Sequence, residues 1–393
     1  KAIEINPNYS DTYGSLGKLF QELGKFEKAT YYYEKAAKLK PENFVFLFYL
    51  SELKKKILDI DLKNKIIKNI KEDRCTKLNL AYAYFLLSNY ELNEKNYPNE
   101  FNYLLKGHAY YFESKKEIFE NQVDYWLNTL PNKKELINLD NFNVNVAKNE
   151  CNIKPIFIIG VPRSGSTLIE KIIGSSVQHV PLGEETSILS NIIRDLIANG
   201  QSLILDKKIL KSLVLEKYKN KGLVQEKNGF VFTDKSLENF FFINLIKEIF
   251  PNAKVINCKR NPLSCIMSIL KNNLIDLPWA HNIENIFKYL DIYHKISSKF
   301  KNFYPNFIYN LQYENFVRNP ELESKKLLNY CNLPWDKKCL EFYKREEIIS
   351  RTASNMQIRE AINTDATNKY FLYKELLNKY GKKYQWFNEI IDE

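Results

Sequence analysis

Residues 156–167 read IFIIGVPRSGST, and this short stretch predicts the fold of the second half of the chain. Four apolar residues are followed by Gly160, four intervening positions, Gly165 and the pair Ser166-Thr167. The apolar run is typical of a buried strand. The glycine-containing turn after it is typical of a loop that holds a phosphate at the N-terminus of a helix. We therefore expect strand, loop and helix in that order.

The loop differs at one position from the loop that binds nucleoside triphosphates. That loop is written G-x-x-x-x-G-K-[ST], and Ser166 stands where its lysine would reach the β- and γ-phosphates. A loop that keeps the phosphate-binding turn but lacks the lysine charge indicates a donor without β- and γ-phosphates. The alternative interpretation is an ordinary tight turn, and the order of strand, loop and helix argues against it.

Strands and helices alternate along the chain after this loop. Apolar runs predict strands at 230–232, 254–258 and 307–311, and helical patterns fill 237–250 and 282–300. This alternation predicts a parallel sheet that is covered by helices on both faces. Ligands of such sheets bind beyond the carboxyl ends of the strands, where the motifs of this sequence lie.

The first part of the chain predicts a different, helical architecture. Pro7 and Pro41 lie 34 residues apart, and KAIEINP at 1–7 returns as KAAKLKP at 35–41. The residues between them follow the spacing of a tetratricopeptide repeat. The matching positions are Tyr13, Leu16, Gly17, Phe20, Gly24, Ala29, Tyr33 and Ala36. Small residues at such positions let paired helices approach closely, and aromatic residues fill the groove between them.

The division of the chain follows from these patterns. We predict an α-helical tetratricopeptide-repeat domain over residues 1–150 and an α/β domain with a phosphate-binding loop over residues 151–393. The link is expected in the polar, asparagine-rich stretch 140–152. The next repeat period is degraded, because Ser51 and Lys54 do not fit it. Short helical arrays of this kind bind peptides or stack on a neighbouring domain.

Composition narrows the classes of function. The 393 residues carry a net charge of +11, but the lysines are dispersed and suit solvated helix faces better than a nucleic-acid surface. The six cysteines form no C-x-x-C pair and the four histidines form no metal-ligand pattern, so we expect no metal site. No apolar run is long enough to span a membrane, and no secretory signal is visible. We expect a cytoplasmic protein with reduced thiols.

A second candidate phosphate site follows the strand predicted at 254–258. Arg260 stands at the end of that strand, and Ser268 lies eight residues later, about two turns into the next helix. A guanidinium fork and a hydroxyl in these positions could hold an anion together. Alone the pair is a weak indication of an anion site. Its occurrence in the same chain as the loop at 160–167 strengthens that interpretation.

These motifs in their order resemble the sulfotransferase superfamily, in particular bacterial proteins with tetratricopeptide repeats fused to a sulfotransferase domain. The family loop P-R-S-G-[ST]-T matches residues 162–167, and an Arg–x7–Ser pair matches Arg260 and Ser268. The resemblance implies that the loop binds the 5′-phosphosulfate of 3′-phosphoadenosine 5′-phosphosulfate and that the pair binds its 3′-phosphate. A further arginine of some members is Asn272 here. The implied loop ligands are Pro162, Arg163, Ser164, Gly165, Ser166 and Thr167.

The sequence also resembles the tyrosylprotein sulfotransferases, and this likeness implies catalytic roles. The segment G-E-E-T at 183–186 matches the segment that holds their catalytic base. The match implies Glu185 as the base, with Glu184 as the alternative because the spacing from the loop is one residue longer here. Asp234-Lys235 matches the segment with the catalytic lysine. The groups implied to stabilise the transferring charge are Lys235, Arg163 and Ser354.

Further family segments imply contacts with the nucleotide. The stretch 313–316 resembles a Y-E-x-L motif, 354–359 resembles a late S-x-x-Q-V segment, and 369–370 resembles a K-W pair. Glu360-Ala361 replaces a basic residue and a proline of the family pattern. The residues that these matches nominate are Tyr313, Ser354, Gln357, Arg359 and Lys369.

The sequence therefore predicts a sulfotransferase that moves a sulfuryl group from 3′-phosphoadenosine 5′-phosphosulfate to a hydroxyl, without a metal. The repeats favour a peptide or protein acceptor, such as a tyrosine, while a glycan, a lipid or a small metabolite stays open. One alternative is a nucleotide-dependent kinase, which would need the missing loop lysine and a metal-binding acid. The other is an inert nucleotide-binding scaffold whose repeats bind a partner.

Overall fold

The structure is a computed structural model, and it describes residues 6–73, 75–137, 153–203, 207–224, 231–345, 357–364, 367 and 369–392. Helices fill the chain up to Ile137, and a parallel sheet with its covering helices follows from Lys154. In the first part the α-helices are α1 (Ser10–Glu22), α2 (Phe26–Leu39), α3 (Phe44–Leu53), α4 (Ile60–Lys71), α5 (Lys77–Asn93), α6 (Tyr97–Glu113), α7 (Lys116–Asp124) and α8 (Lys134–Ile137).

Side chains at the helix starts explain where several of these helices begin. Asn43 accepts a hydrogen bond from the backbone N–H of Val45, so α3 starts with one of its orphan donors satisfied. Asp59 caps α4 in the same way, through the N–H of Leu62. Such capping residues stabilise a helix by about 1 kcal/mol each.

The predicted repeat is the antiparallel pair α1 and α2. Gly17 lies against the ring of Tyr33, and a Cβ at this glycine would come within 2.6 Å of that ring. The Tyr33 hydroxyl donates to Gln21 Oε1 across the pair at 2.9 Å. A small residue facing an aromatic one therefore sets the close approach of the two helices, as the spacing predicts.

The second part of the chain alternates strands and helices around a four-stranded sheet. The strands are β1 (Lys154–Gly160), β2 (Val231–Asp234), β3 (Lys254–Lys259) and β4 (Ile308–Gln312). The helices are α9 (Ser166–Gly174), α10 (Ile188–Ala198), α11 (Lys207–Asn220), α12 (Ile243–Ile249), α13 (Pro262–Leu270), α14 (Ile283–Phe303), α15 (Tyr313–Arg318), α16 (Pro320–Tyr330), α17 (Lys374–Gly381) and α18 (Gln385–Asp392). Short 3₁₀ turns connect several of them.

All strands of the sheet are parallel, in the order β2-β1-β3-β4. The register pairs Phe157 with Asp234 and Gly160 with Cys258. The carboxyl ends of β1, β2 and β3 therefore meet at one edge, where the loop after β1 and the residues after β2 and β3 converge. This is the edge at which parallel sheets bind their ligands.

Both faces of β1 are covered, which explains its continuous apolar sequence. Ile156 and Ile158 pack in a cluster with α9, while Phe157 and Ile159 face the larger cluster on the other side. That larger cluster also contains residues of α5 and α6, such as Phe85. The helical part and the sheet part thus share one hydrophobic core.

The predicted elements are confirmed with shifted boundaries. The strand predicted at 230–232 is β2, which extends to Asp234, so Thr233 and Asp234 are strand residues, while residue 230 lies outside the described residues. The segment predicted as one helix at 237–250 starts as a 3₁₀ turn, Leu237–Phe242, before α12. The predicted link at 140–152 and the domain boundary near 150 lie outside the described residues, so both stay predictions. Within the described residues, the helices include none with both the length and the apolar character to cross a bilayer.

Candidate active site

The loop after β1 has the backbone of an anion cradle. Gly160 and Gly165 have φ values of 153° and 92°, in the region that favours glycine. A Cβ at Gly160 would lie 2.8 Å from the carbonyl oxygen of Cys258, and a Cβ at Gly165 would collide with the ring of Tyr313. Both glycines are therefore required by close approach as well as by conformation. Gly165 is also the N-cap residue directly before α9, so the first backbone N–H groups of the helix, which have no partner within it, follow the turn directly.

Ser164 indicates that the cradle is built for a ligand. This serine is fully buried, and its Oγ has no hydrogen-bond partner among the described residues. Buried hydroxyls without partners are uncommon in native structures and call for an explanation. A sulfate or phosphate oxygen held at the start of α9 would satisfy this hydroxyl.

Arg163, Ser268 and Arg260 come together beside the loop. Arg163 Nε donates to Ser268 Oγ at 2.9 Å, and Arg260 Nη1 donates to the backbone carbonyl of Arg163 at 2.9 Å. Burial, together with the neighbouring Arg260, lowers the pKa of Arg163 to about 10. The Arg163 guanidinium is still charged at neutral pH, and with Arg260 beside it this corner concentrates positive charge for an anion.

Tyr313 and Asn272 complete this corner. The Arg260 guanidinium lies 4.5 Å from the centre of the Tyr313 ring, which places Tyr313 over both the arginine and the loop. Asn272 stands where some relatives carry an arginine, and its Nδ2 donates to the backbone carbonyl of Ser268 at 2.6 Å. Asn272 therefore supports the helix that carries Ser268.

Residues 181–184 are fixed along the carboxyl end of β2. The N–H of Thr233 donates to the carbonyl of Pro181 at 2.9 Å, and the N–H of Lys235 donates to the carbonyl of Gly183 at 3.0 Å. Gly183 leaves no room for a side chain, because a Cβ there would collide with the carbonyl of Thr233. This pairing brings both predicted glutamates beside the predicted lysine.

The two glutamates of this segment have different surroundings. The Glu185 carboxylate is 57% exposed and lies 3.1 Å from Lys235 Nζ. The Glu184 carboxylate is only 16% exposed and lies 3.7 Å from Lys171 Nζ. Glu185 also has a left-handed backbone with φ of 51°, an unfavourable conformation of the kind that clusters at functional sites. Its carboxylate is the more accessible of the two to an incoming hydroxyl.

Lys235 is a buried ammonium. Its side chain is 1% exposed. Burial lowers its pKa, but the carboxylates of Glu185, Glu170 and Glu184 outweigh that effect, and the pKa is raised above the ordinary lysine value. The lysine is therefore a permanent positive charge at the end of β2.

Asp234 organises the backbone around this lysine, a role that the sequence did not reveal. Its carboxylate accepts hydrogen bonds from Tyr218, Thr186, Ser236 and Asn239. Burial raises its pKa, against the effect of these donors. Asp234 thereby ties residue 186, which follows the glutamates, to the end of β2.

Glu170 and Lys171 on α9 are also absent from the sequence predictions. Glu170 is fully buried, and its Oε1 accepts from Thr233 Oγ1 at 2.8 Å. Burial raises its pKa to about 6, although Lys235 and Lys171 act in the opposite direction. The available signal is the pair Glu-Lys inside the apolar helix sequence STLIEKIIG. Two charges at positions that the helix buries call for partners nearby.

A cavity of about 460 Å³ with a mixed polar and apolar lining opens beside Arg260 at the carboxyl ends of β1, β3 and β4. Its lining includes Lys259, Arg318, Thr367 and Tyr370. A cavity of this size lies within the range of small-molecule sites. It continues the positive corner away from the loop.

The late predicted residues are only partly described. Ser354 lies outside the described residues, as do the side chains of Gln357 and Lys369. The guanidinium of Arg359 packs against Gly24 in the turn between α1 and α2, so one contact of this residue is with the helical repeat. The predicted roles of these residues stay predictions. Among the described residues, no group of His, Cys, Asp and Glu could hold a metal ion.

Comparison with known proteins agrees with this geometry. Residues 155–337 match the model described as the sulfotransferase family, and residues 10–43 match the tetratricopeptide repeat model. Residues 155–337 therefore resemble the sulfotransferase family, and residues 10–43 resemble a tetratricopeptide repeat. The match confirms the predicted sulfotransferase class of the domain and the predicted repeat before it. The likeness to tyrosylprotein sulfotransferases stays a prediction.

Individual relatives of the sulfotransferase domain are distant or much longer. A protein of Aquifex aeolicus (strain VF5), described as uncharacterized, is 32% identical over 246 residues, which are 57% of this chain and 31% of that protein. This chain thus spans about a third of that relative.

Solved structures show weaker likeness. The sulfotransferase domain of the Synechococcus PCC 7002 olefin synthase is 17% identical, with a TM-score of 0.42 over 57% of this chain and 89% of that one. Sulfotransferase STF1 of Mycobacterium tuberculosis H37Rv is 12% identical, with a TM-score of 0.33 over 83% and 98%. The assignment therefore rests on the family match and on the site.

Proposed function

We propose that the protein transfers a sulfuryl group from 3′-phosphoadenosine 5′-phosphosulfate to a hydroxyl acceptor. The observation that carries the proposal is the buried, unpartnered Ser164 hydroxyl in a loop that has no triphosphate lysine. The loop can hold one phosphosulfate. Because Ser166 replaces the lysine that contacts β- and γ-phosphates, the loop does not require a ligand that has them. The family match of the domain supports the same chemistry.

The positive corner fits the other end of the donor. Arg260 and Ser268 are joined to the loop through Arg163, so one rigid unit would hold both anionic ends of the nucleotide. The neighbouring cavity of about 460 Å³ offers space for the rest of the nucleotide. No metal is part of the proposal, because the arginines and Lys235 supply the positive charge that phosphate sites otherwise take from magnesium.

The reaction is an in-line displacement at sulfur. The acceptor oxygen forms a bond to sulfur while the bond between sulfur and the bridging oxygen breaks, and adenosine 3′,5′-bisphosphate leaves. Glu185 accepts the proton of the hydroxyl, because its carboxylate is exposed beside Lys235. Lys235 stabilises the negative charge that develops on the bridging oxygen, as fixed charges do in related transfers.

The acceptor is proposed as a peptide or protein that the helical repeat helps to bind. Repeat pairs of this kind commonly bind peptides. The basic net charge of +11 would favour an acidic sequence around a tyrosine. The five described cysteines are free thiols, which suits the proposed cytoplasmic location.

The test is a transfer reaction with the purified full chain. We expect labelled donor, supplied with a lysate of the source organism, to label an acceptor without added magnesium and in the presence of a chelator. Fractionation into protein, glycan, lipid and small molecules identifies the acceptor class, and a Lys235→Ala variant is the matched control. Transfer of phosphate from ATP that requires magnesium would establish the kinase alternative instead. Tight nucleotide binding with no labelled product would favour the inert scaffold.

A further inference from the structure

A hydrogen-bond relay connects the helix that follows the donor loop with the segment that carries the glutamates. The N–H of Gly183 donates to Thr233 Oγ1 at 2.9 Å, and the same Oγ1 lies 2.8 Å from Glu170 Oε1. An N–H group only donates and an ionised carboxylate only accepts. The Thr233 hydroxyl therefore accepts from Gly183 and donates to Glu170, and its orientation is fixed from both sides.

The relay lies in the interior, where water does not replace it. Thr233 and Glu170 are both fully buried. Glu170 stands one turn after Ser166 on α9, so the relay starts next to the predicted phosphosulfate loop. It ends at the residue that directly precedes Glu184 and Glu185. The relay is a direct path from the donor site to the proposed base.

We propose that Glu170 is a positioning residue of the transfer reaction, which acts through Thr233 to hold the Gly183–Glu185 backbone at a fixed place relative to the donor loop. The proposal rests on the proposed function, because it assigns a purpose to the same site. An error of about 1 Å between reacting groups can cost on the order of 100-fold in rate, so such a constraint matters for transfer.

The Glu170 carboxylate is needed for this role because backbone contacts alone do not orient the hydroxyl that accepts from Gly183. The contacts of Pro181 and Gly183 carbonyls with β2 fix the chain, but they do not fix the hydroxyl of Thr233. The second oxygen of Glu170, Oε2, is buried and has no hydrogen-bond partner among the described residues. A carboxylate in this state is costly in a fold, and the nearby ammonium groups of Lys171 and Lys235 offset that cost.

The experiment compares four variants of the full chain. Thr233→Val removes the hydroxyl at nearly constant shape, and Thr233→Ser keeps it. Glu170→Gln keeps an oxygen that can accept from Thr233, and Glu170→Leu removes it. Thr30→Val is the control, because Thr30 also donates to an oxygen, the backbone carbonyl of Phe26, but lies in α2 away from the site.

Three quantities are measured for each variant. The first is hydrogen exchange of the Gly183 amide. The second is the Kd of adenosine 3′,5′-bisphosphate by calorimetry. The third is kcat with 3′-phosphoadenosine 5′-phosphosulfate and whichever of a panel of phenols the unmodified protein sulfates.

We expect Thr233→Val and Glu170→Leu to raise exchange at Gly183 and to lower kcat by about 10-fold or more, with Kd changed less than about 3-fold. Thr233→Ser is expected to retain most of the kcat and of the Gly183 amide protection that Thr233→Val loses. Glu170→Gln is expected to lose less kcat and less amide protection than Glu170→Leu. Combining the two apolar substitutions should add little, because both break one relay.

The opposite pattern overturns the proposal. Unchanged exchange at Gly183 in Thr233→Val, a Thr233→Ser variant as impaired as Thr233→Val, or a loss of nucleotide affinity equal to the loss of kcat would each exclude a positioning role. If the unmodified protein binds no nucleotide and sulfates no phenol, the proposed function fails, while the exchange measurement still decides whether the relay holds Gly183. Thr233→Ser and Glu170→Gln keep the test open if an apolar variant does not fold.

Discussion

Two polar clusters in this molecule differ in how far their charged and polar groups are paired. The site cluster consists of Glu170, Lys171, Glu184 and Lys235 at the end of β2. The interface cluster lies where the helical part packs on the sulfotransferase domain, and it consists of Glu100, His108, Lys271, His281 and Tyr373.

The interface cluster binds itself. Lys271 Nζ lies 2.9 Å from Glu100 Oε1, and the Tyr373 hydroxyl donates to Glu100 Oε2 at 2.5 Å. His108 Nε2 donates to the carbonyl of Leu270 at 2.7 Å, so a neutral His108 accepts at Nδ1 from His281 Nδ1, 3.0 Å away. Residues of both parts of the chain pair with one another here, which joins the two parts, and His281 Nε2 is buried without a hydrogen-bond partner among the described residues.

The site cluster leaves groups available. Glu170 Oε2 and the nearby Ser164 hydroxyl are buried and unpartnered among the described residues. Arg163 and Glu185 adopt left-handed backbones, with φ of 69° and 51°. Unsatisfied groups together with a strained backbone in one place indicate a site that a ligand completes. The interface cluster has one unpartnered atom among the described residues, His281 Nε2, but its charged groups are paired and none of its members has a left-handed backbone.

The largest expected effect is on turnover, and it would sharpen this contrast within the site itself. Glu185→Ala is expected to lower kcat on the order of 100-fold or more, because a general base contributes that much to proton removal. Glu184→Gln is expected to lower it far less, since Glu184 is paired with Lys171. Steady-state rates with saturating donor check both. Equal turnover of Glu185→Ala and the unmodified protein would move the role of base to Glu184.

The next effect concerns donor affinity. Arg260→Ala is expected to weaken binding of adenosine 3′,5′-bisphosphate by about 10- to 100-fold, the range for loss of a charged hydrogen bond. Calorimetry measures it. Arg194→Ala on α10 is the control, because the Arg194 guanidinium is bound to Asn191 on the same exposed helix surface. A loss of affinity in Arg194→Ala as large as in Arg260→Ala would show that general charge, rather than this site, binds the nucleotide.

The interface cluster should respond in stability instead. Glu100→Ala is expected to lower the free energy of unfolding by about 2 kcal/mol, because Lys271 and Tyr373 lose their buried acceptor. Glu113→Ala removes the exposed ion pair with Lys77 and is expected to change the free energy of unfolding by less than about 0.5 kcal/mol. Denaturant titration compares the two. A Glu100 variant as stable as the Glu113 variant would mean that the interface cluster does not stabilise the fold.

The smallest effect is the pH dependence of stability. Burial lowers the pKa of both His108 and His281 below the ordinary imidazole value near 6.5. The unfolded chain therefore takes up protons that the folded chain refuses, and the free energy of unfolding falls as the pH drops below 6.5. We expect a loss of about 1 kcal/mol between pH 7 and pH 6 for the pair.

A variant without these imidazoles isolates that loss. The double variant His108→Leu/His281→Phe should show a flatter dependence than the unmodified protein over the same pH interval. Parallel curves for the two proteins would show that the histidines already bind protons in the folded state.

The sequence reveals what is local. The loop at 160–167, the pair Arg260 and Ser268, and the strand ends are readable because each depends on neighbouring residues and on a strand followed by a helix. The relay was not readable, because Glu170, Thr233 and Gly183 are distant in sequence and meet only when α9 and residues 181–184 pack against β2.

The interface cluster was equally hidden. His108 and His281 are 173 positions apart, and each alone looks like an ordinary structural histidine. The spacing of apolar residues predicts which side of a helix or strand is buried. It does not predict which surface of another domain that side packs against. The merging of the helical part and the sheet part into one core is the largest feature of this kind.

The most direct test of the central claim is a calorimetric titration of the full chain with adenosine 3′,5′-bisphosphate, without metal, beside a titration with ATP and magnesium. The loop, Ser164 and the Arg260–Ser268 corner predict micromolar or tighter binding of the bisphosphate and much weaker binding of ATP. Binding of ATP with magnesium in the absence of any heat from the bisphosphate would contradict the account.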